Sequence, residues 1–539
     1  MKQLLIAISI MACGSATVLA KPPCSPVEDI TMNITANRTL FSNVLYRIQG
    51  CISVNNNATL TIQPGTVITF GNGDYLILEK DSKINAAGTA TNPIVFTSAA
   101  NPGSRVPLTN AGVILCGKGQ TNESPLNLPC SRTYISGTDN TDNSGTMSYV
   151  QFHYLSGTAS LLLPYMDNAL TLIGVGSATT INNIEITNSL NNGLAALGGE
   201  PLVNNAYALD NRKNQVYAGL GTQMELVGLL AMTRDAAAHQ SAGTNGMLIE
   251  NNRVTTTATP WTDIKVNNSS FIGPKHCDPG TPHPDFKNGI VFDNNGGGDI
   301  YNTVITGFNE HGLFITDAAS ATRTANDQLN FSYNSMTNNG SGDYDHGALP
   351  WSGCGNSMAA WISGPVIDGC EEEENQFDPI DLKYDISICN DYCIDTPIFK
   401  ITGATGLEPA DASTKIYDLR GAVQINDLYS SWVKFCPQNE AYCEPVPTKN
   451  TFDKKASLII IPNPAKGQAT LEFNSLSTGL AKVTIFDKVT SRVLFQKDFK
   501  VKNVGNQNIP IRLNGLNEGV YPIRVEMKDT VINGMISVQ

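Results

Sequence analysis

One stretch of this chain occurs twice without a gap. Ile181-Asn182-Asn183-Ile184-Glu185-Ile186-Thr187 leads on to Asn192-Gly193-Leu194, and Ile300-Tyr301-Asn302-Thr303-Val304-Ile305-Thr306 leads on to His311-Gly312-Leu313. Ile181 aligns with Ile300, Asn183 with Asn302, Ile186 with Ile305 and Gly193 with Gly312. Two weaker copies run from Ile264 to Gly273 and from Leu329 to Gly340, and Asn288-Gly289-Ile290 precedes His311-Gly312-Leu313 by 23 residues, the length of one coil. Repetition of this kind marks a solenoid, in which each turn buries its apolar residues against the equivalent residues of its neighbours. Glycine permits positive φ at the corners, and asparagine tolerates the left-handed conformation while bonding locally through its side chain.

The earlier residues carry the same grammar. Leu60-Thr61-Ile62, Thr66-Val67-Ile68-Thr69-Phe70, Tyr75-Leu76-Ile77-Leu78 and Ile94-Val95-Phe96-Thr97 are short β-branched or aromatic runs, separated by Pro64-Gly65, Gly71-Asn72-Gly73 and Ala86-Ala87-Gly88. Strands this short make poor open sheets but suit the faces of a stacked coil. The expectation is an all-β chain whose body is a right-handed parallel β-helix, with a β-sandwich as the competing architecture. Composition agrees. Charged residues are 15 %, below the usual quarter, and 47 glycines serve many turns. The net charge of −13, with no basic stripe, argues against nucleic acid as a partner.

Four segments are expected. Residues 1–20 read as a signal peptide: Lys2, an apolar run from Leu4 to Met11, and small residues ending at Ala20. Ile10-Met11-Ala12-Cys13 resembles a lipobox, but cleavage after Ala20 is preferred. The run is too short to span a bilayer, and no transmembrane segment is expected in the mature chain. Residues 21–362 form the β-helix body. Residues 363–450 form a Cys-containing insertion or module, with the acidic run 371–374, Cys370, Cys389, Cys393, Cys436 and Cys443, and Cys354 just before it. Export permits disulfides there, which are preferred over a zinc site, and spacing does not fix their pairing. Residues 451–539 alternate strands over a short span and describe a small β-sandwich.

That last segment resembles the C-terminal sorting domain of type IX secretion substrates in Bacteroidetes. The matching parts are Ile461-Pro462-Asn463-Pro464-Ala465, the strand region from Gly479 to Asp487, and Leu516-Asn517-Glu518-Gly519-Val520-Tyr521, with Pro462, Asn463, Pro464, Gly519 and Tyr521 as the sorting motif. Such tails often end on a basic residue, whereas this one ends Val538-Gln539. The resemblance implies export through the type IX machinery as partner, followed by release or attachment at the cell surface. The body, over about residues 57–231, also resembles a group of secreted Bacteroidetes β-helix proteins, through Leu60-Thr61-Ile62-Gln63-Pro64-Gly65-Thr66, Pro93-Ile94-Val95-Phe96-Thr97-Ser98 and Leu172-Ile173-Gly174-Val175-Gly176. Where relatives carry an Asp-rich stretch after the Gly-Gly element, here Gly198-Gly199, this chain has Asp210-Asn211-Arg212-Lys213-Asn214. No general activity comes with this likeness.

Candidate chemistry is sparse. A hydrolase acting on a polysaccharide needs two carboxylates across the scissile bond. Asp293, Asp299, Glu310, His311 and Asp317 lie between the best repeats, and Asp299, Glu310 and His311 are the catalytic candidates; the competing reading is solvated corners. Asp343 and Asp345, in a polar turn, are candidate Ca²⁺ ligands, though their spacing is not that of an EF-hand. His276, Cys277, Asp278, His283 and Asp285 form a further group without the spacing of a known zinc module. No nucleophile elbow or phosphate loop is present. The preferred function is a non-catalytic surface or released protein that binds glycans or other surfaces, serving adhesion or structure. The alternative is a polysaccharide lyase or glycoside hydrolase.

Overall fold

The computed structural model describes residues 26–157, 163, 165–234, 243–276, 283–348, 350–363, 374–380, 408–411, 419–422, 432–435, 437–442, 458–475, 477–487, 492–528 and 530–539. The chain divides into two compact units after residue 445.

The first unit is a right-handed parallel β-helix. Its strands stack in parallel from rung to rung, in one ten-stranded sheet and one eighteen-stranded sheet. The larger sheet bends along its middle, so the coil has three faces. The bend has a local cause. Strands such as Gly145–His153, Thr180–Thr187 and Leu202–Leu209 are broken by a single left-handed residue, namely Tyr149, Asn183 or Asn205, and Asn268, Asn302 and Tyr333 take the same place on later rungs. Their φ values run from +45° to +56°, a region asparagine enters more readily than other non-glycine residues. The aligned residues of the sequence repeat, Asn183 and Asn302, thus perform one task on different turns. Asn302 also donates its side-chain amide to Asn267 Oδ1 of the preceding rung at 3.0 Å.

Inside the coil, equivalent positions form columns. Ile52, Leu76, Val113, Leu170, Leu194, Val216, Met247, Ile290, Leu313 and Tyr344 follow one another in register along the ten-stranded sheet. All but Tyr344 are buried, and burial of each large side chain contributes roughly 1.5–3 kcal/mol. Beside this apolar column runs a polar one. Asn192 donates to Asn168, Asn214 to Asn192 and Asn245 to Asn214, each at 2.9 Å, and Asn288 donates to Asn245 at 3.4 Å. A buried amide is costly alone and stable in such a chain, where each side-chain carbonyl meets the next side-chain NH₂. The helix Met358–Ser363 brings Met358, Trp361 and Ile362 onto the apolar core.

The second unit has two antiparallel sheets. Ile459–Ile461, Gln468–Ser475 and Gly505–Arg512 form one; Val493–Val501, Gly479–Phe486, Gly519–Met527 and Thr530–Val538 form the other, in that order. Leu471, Phe473, Val483, Ile485, Ile511, Ile523, Val525 and Ile536 make the core between them. Two of the residues expected to form a sorting motif make specific bonds within this unit. Asn463 donates to the Met535 carbonyl at 3.1 Å and accepts from Ser537 N at 2.8 Å, fastening the last strand, and Tyr521 turns back to donate its hydroxyl to the Asn517 carbonyl at 2.8 Å. A Cβ at Gly519 would lie in ordinary van der Waals contact with the Tyr521 ring.

Cysteine usage differs in part from expectation. Cys51 and Cys130 form a disulfide that spacing did not single out, Cys354 is disulfide-bonded, and Cys116 is a buried free thiol pushed up to about 12 by desolvation. Cys370, Cys389, Cys393, Cys436 and Cys443 lie outside the described residues, as does the expected signal peptide. Among the described residues no helix is long and apolar enough to cross a membrane.

Candidate functional site

A coil with a filled core can meet a ligand only through its outward side chains. On the ten-stranded sheet these change character along the axis. The early outward positions, Ile77, Ile114, Ile173, Ala195 and Leu197, are apolar and buried under Leu126, Leu128, Tyr134, Tyr165 and Met166. The covering segment includes an antiparallel pair, Leu126–Leu128 with Arg132–Tyr134, pinned by the Cys51–Cys130 bond. The outer side of the larger sheet is also partly closed by the chain itself. Trp432, Val433 and Phe435 pack on Tyr207, Leu230 and Ile272, while Arg105 donates to the carbonyls of Pro437 and Glu440 and Arg234 to that of Phe435. There His153 and Glu185, both fully buried, approach to 3.2 Å, and Glu185 accepts from Lys434 N at 3.0 Å.

The late rungs of the ten-stranded sheet are different. The column that holds Ala195 and Tyr217 continues through Leu248, Val291 and Phe314 to Asp345, and Glu250 pairs in register with Asp293 beside it. Asp293, Phe314 and Asp345 are half-buried, and Leu248 marks the edge of the cover, packed against its apolar cluster. His311 occupies the position at which the asparagine column would continue, accepting its place through its own N–H, which donates to Asn288 Oδ1 at 3.0 Å. Its ring stacks on Phe314 with centroids 5.3 Å apart and planes 15° from parallel, and its Nε2 lies 3.6 Å from Asp345 Oδ2.

The carboxylates here are engaged within the chain. Glu250, 2 % exposed, accepts from the Tyr217 hydroxyl at 2.5 Å and from Asn294 Nδ2 at 2.9 Å, and pairs with Arg253, whose guanidinium lies against the Tyr165 and Tyr217 rings. Burial and the neighbouring Glu250 charge hold the Tyr217 hydroxyl well above its ordinary range. Asp293 accepts from Asn294 N at 2.9 Å and Asn294 Nδ2 at 3.2 Å, and from the Thr316 hydroxyl. Glu310 pairs with Lys287 at 2.5 Å. Asp317 caps the helix Ala318–Thr324, accepting from Ala319 N at 2.9 Å and Ser320 N at 3.0 Å.

The structure separates the residues grouped as a catalytic set. Glu310 and His311 stand together at the start of His311–Ile315, but Asp299 lies on Gly297–Tyr301, a strand of the other sheet, where its carboxylate accepts from Asn330 at 2.9 Å. The strand period that would set all three on one rung face does not join residues on different faces of the coil. Asp343 and Asp345 alternate on Gly342–Asp345; Asp343 accepts from Asn339 at 2.9 Å and Asp345 from His346 N at 2.7 Å. Among the described residues no group of three or more His, Cys, Asp or Glu side chains is placed to hold a metal ion. His283 lies 3.5 Å from Asp285, whereas Cys277 and Asp278 fall outside the described residues. Glu250 escaped sequence reasoning, although Asn245-Gly246-Met247-Leu248-Ile249-Glu250 aligns with Asn288-Gly289-Ile290-Val291-Phe292-Asp293 and predicts the same outward position.

Parallel stacking, a filled interior and short rungs define a parallel β-helix, and the chain belongs to the pectate-lyase-like β-helix domain family, which matches residues 32–346. Residues 459–539 match the secretion system C-terminal sorting domain, so the protein is a type IX cargo exported to the extracellular space or cell surface. No curated protein matches the chain. Two solved structures are similar to it. The enzymatically active domain of tailspike protein 2 from bacteriophage CBA120 is 12 % identical, with 92 % of this chain and 72 % of that one covered at a TM-score of 0.21. A tailspike protein from Acinetobacter baumannii bacteriophage Fri1, a capsular polysaccharide depolymerase, is 9 % identical, with 93 % and 73 % covered at a TM-score of 0.23.

Proposed function

We propose that this exported protein binds an extended glycan along the late rungs of its ten-stranded face and leaves it uncut. One observation carries the reading: on those rungs the stacked Phe314–His311 pair is partly exposed, while Glu250, Asp293 and Glu310 are each held by partners within the chain. An aromatic surface flanked by fixed polar groups suits the apolar face and hydroxyl rim of a sugar ring. A glycosidase instead needs one carboxyl kept protonated and a second left free to attack or to activate water.

A second reading, polysaccharide cleavage, has one specific observation in its favour. Glu250 and Asp293 lie side by side in register and share the Asn294 amide, so the two bonded oxygens are within about 6 Å of each other. Affinity electrophoresis of the purified chain in gels containing individual polysaccharides, with analysis of new chain ends in the same samples, separates the two. Binding predicts retardation without new ends, and its loss in Phe314→Ala/His311→Ala. New ends that disappear in Glu310→Ala/His311→Ala or in Glu250→Gln would overturn the proposal in favour of cleavage.

A further inference from the structure

A different set of side chains gathers on the strand ladder that holds Asp299. Trp261, just before the strand Asp263–Asn267, is 37 % exposed, and the guanidinium of Arg323 lies under its ring, 4.6 Å from the centroid. Arg323 comes from the helix Ala318–Thr324 and reaches the sheet because Gly297 has no side chain: a Cβ there would come within 2.7 Å of the guanidinium. Asp263 pairs in register with Gly297, and Lys265 with Asp299, which pairs in turn with Asn330. Asp263, Lys265 and Asp299 therefore share one side of neighbouring strands, next to the Trp261 ring, because residues two apart on a strand point the same way.

Arg323 is 3 % exposed, donates through Nε to Asn295 at 2.9 Å, and among the described residues has no hydrogen-bond partner for Nη2. Burying a guanidinium in this way is costly, and here it lies against the ring of an indole that stays partly exposed. The two acids are set against two cations, Lys265 and Arg323, with Asp327 and Glu225 adding negative charge nearby. Desolvation first, and then neighbouring carboxylates, raise both acids above the ordinary carboxylate range. A further negative charge on a ligand would meet this acidic surround, whereas an uncharged ring with vicinal hydroxyls would find an aromatic platform, carboxylate acceptors and the Lys265 and Asn330 donors.

We propose that Trp261, Asp263, Lys265, Asp299 and Asn330 form a binding site for one ring of a neutral glycan, with Arg323 as the residue that positions the Trp261 platform. It lies on another face of the coil from Phe314 and His311 and stands whichever way the test of that face falls.

Isothermal titration of the full chain with cellohexaose, mannohexaose and xylohexaose, and with hexagalacturonate as the charged counterpart, tests the proposal. At least one neutral oligosaccharide is expected to bind and hexagalacturonate to be rejected. Measured in the Phe314→Ala/His311→Ala background, so that the other face does not contribute, Trp261→Ala should weaken binding by about tenfold or more and Asp299→Asn by roughly threefold, whereas Trp261→Phe should retain part of it. Circular dichroism establishes that each variant is folded. Failure of all three neutral probes, tighter binding of hexagalacturonate, or undiminished binding by folded Trp261→Ala would overturn the assignment.

Discussion

On the first rungs of the ten-stranded face, Ile77, Ile114, Ile173 and Leu197 point outward and the chain folds its own residues 126–134 and 165–166 over them; on the last rungs the same outward positions hold Asp293, Phe314 and Asp345 and stay half-open. The inward column scarcely changes between the two halves, running from Leu76 to Leu313 as apolar side chains throughout. The coil is thus indifferent to what its outer surface does. Interior stacking fixes the trunk, and outward residues decide whether a rung is claimed by the chain's own segment or left for a ligand. An apolar outward row left bare would be a sticky patch on an exported protein, which gives the disulfide-pinned cover a physical purpose.

Four changes would break or sharpen that contrast. The largest effect is expected inside the coil, where the halves are alike: Leu194→Ala should cost about 2–5 kcal/mol in chemical denaturation, because the stacked neighbours cannot fill the void. An effect below 1 kcal/mol would mean that the column is not the principal support. Next comes the cover. Replacing Cys51 and Cys130 with serine opens a loop of 79 residues in sequence separation and should lower stability by about 2–4 kcal/mol. Binding of a dye for exposed apolar surface should rise in this variant, with no change in glycan retention by the late rungs.

The amide column is third. Asn192→Ala removes the acceptor for Asn214 N and Nδ2, at 3.1 and 2.9 Å, and should cost about 1–3 kcal/mol. Asn192→Asp keeps the acceptor but replaces the donor to Asn168 and Asp167 with a buried carboxylate facing Asp167, and should cost more than Asn192→Ala at neutral pH. The smallest effect has the opposite sign. The Asp299 carboxyl is raised, so the folded state binds its proton more readily than the unfolded state does and the ionised group opposes folding at neutral pH. Asp299→Asn should therefore raise the melting temperature slightly at pH 7, and the gain should fade as pH falls through the carboxylate range and the native side chain becomes protonated.

The trunk was legible because a coil repeats one instruction. The Asn183 and Asn302 positions, found by aligning two stretches of sequence, are the left-handed residues at the bend, and Gly193 and Gly312 stand second in corresponding strands. The tail was legible because Asn463 and Tyr521 each make a bond that the fold cannot easily replace. The site was less so. Period alone shows that a side chain points outward, but not on which of three faces, and Asp299 was grouped with His311 although they belong to different sheets. Nor does spacing reveal that Cys51 meets Cys130, since that contact depends on where a long excursion from the coil comes back to rest.

Hydroxyl-radical footprinting of the protein, free and saturated with the polysaccharide that retards it, tests the central claim most directly, because aromatic and histidine side chains report their own exposure. The account predicts that glycan shields Phe314 and His311 and leaves Tyr134 and Met166, which belong to the cover, unchanged. Shielding confined to the covered half, or none at Phe314 and His311 while the glycan is held, would contradict it.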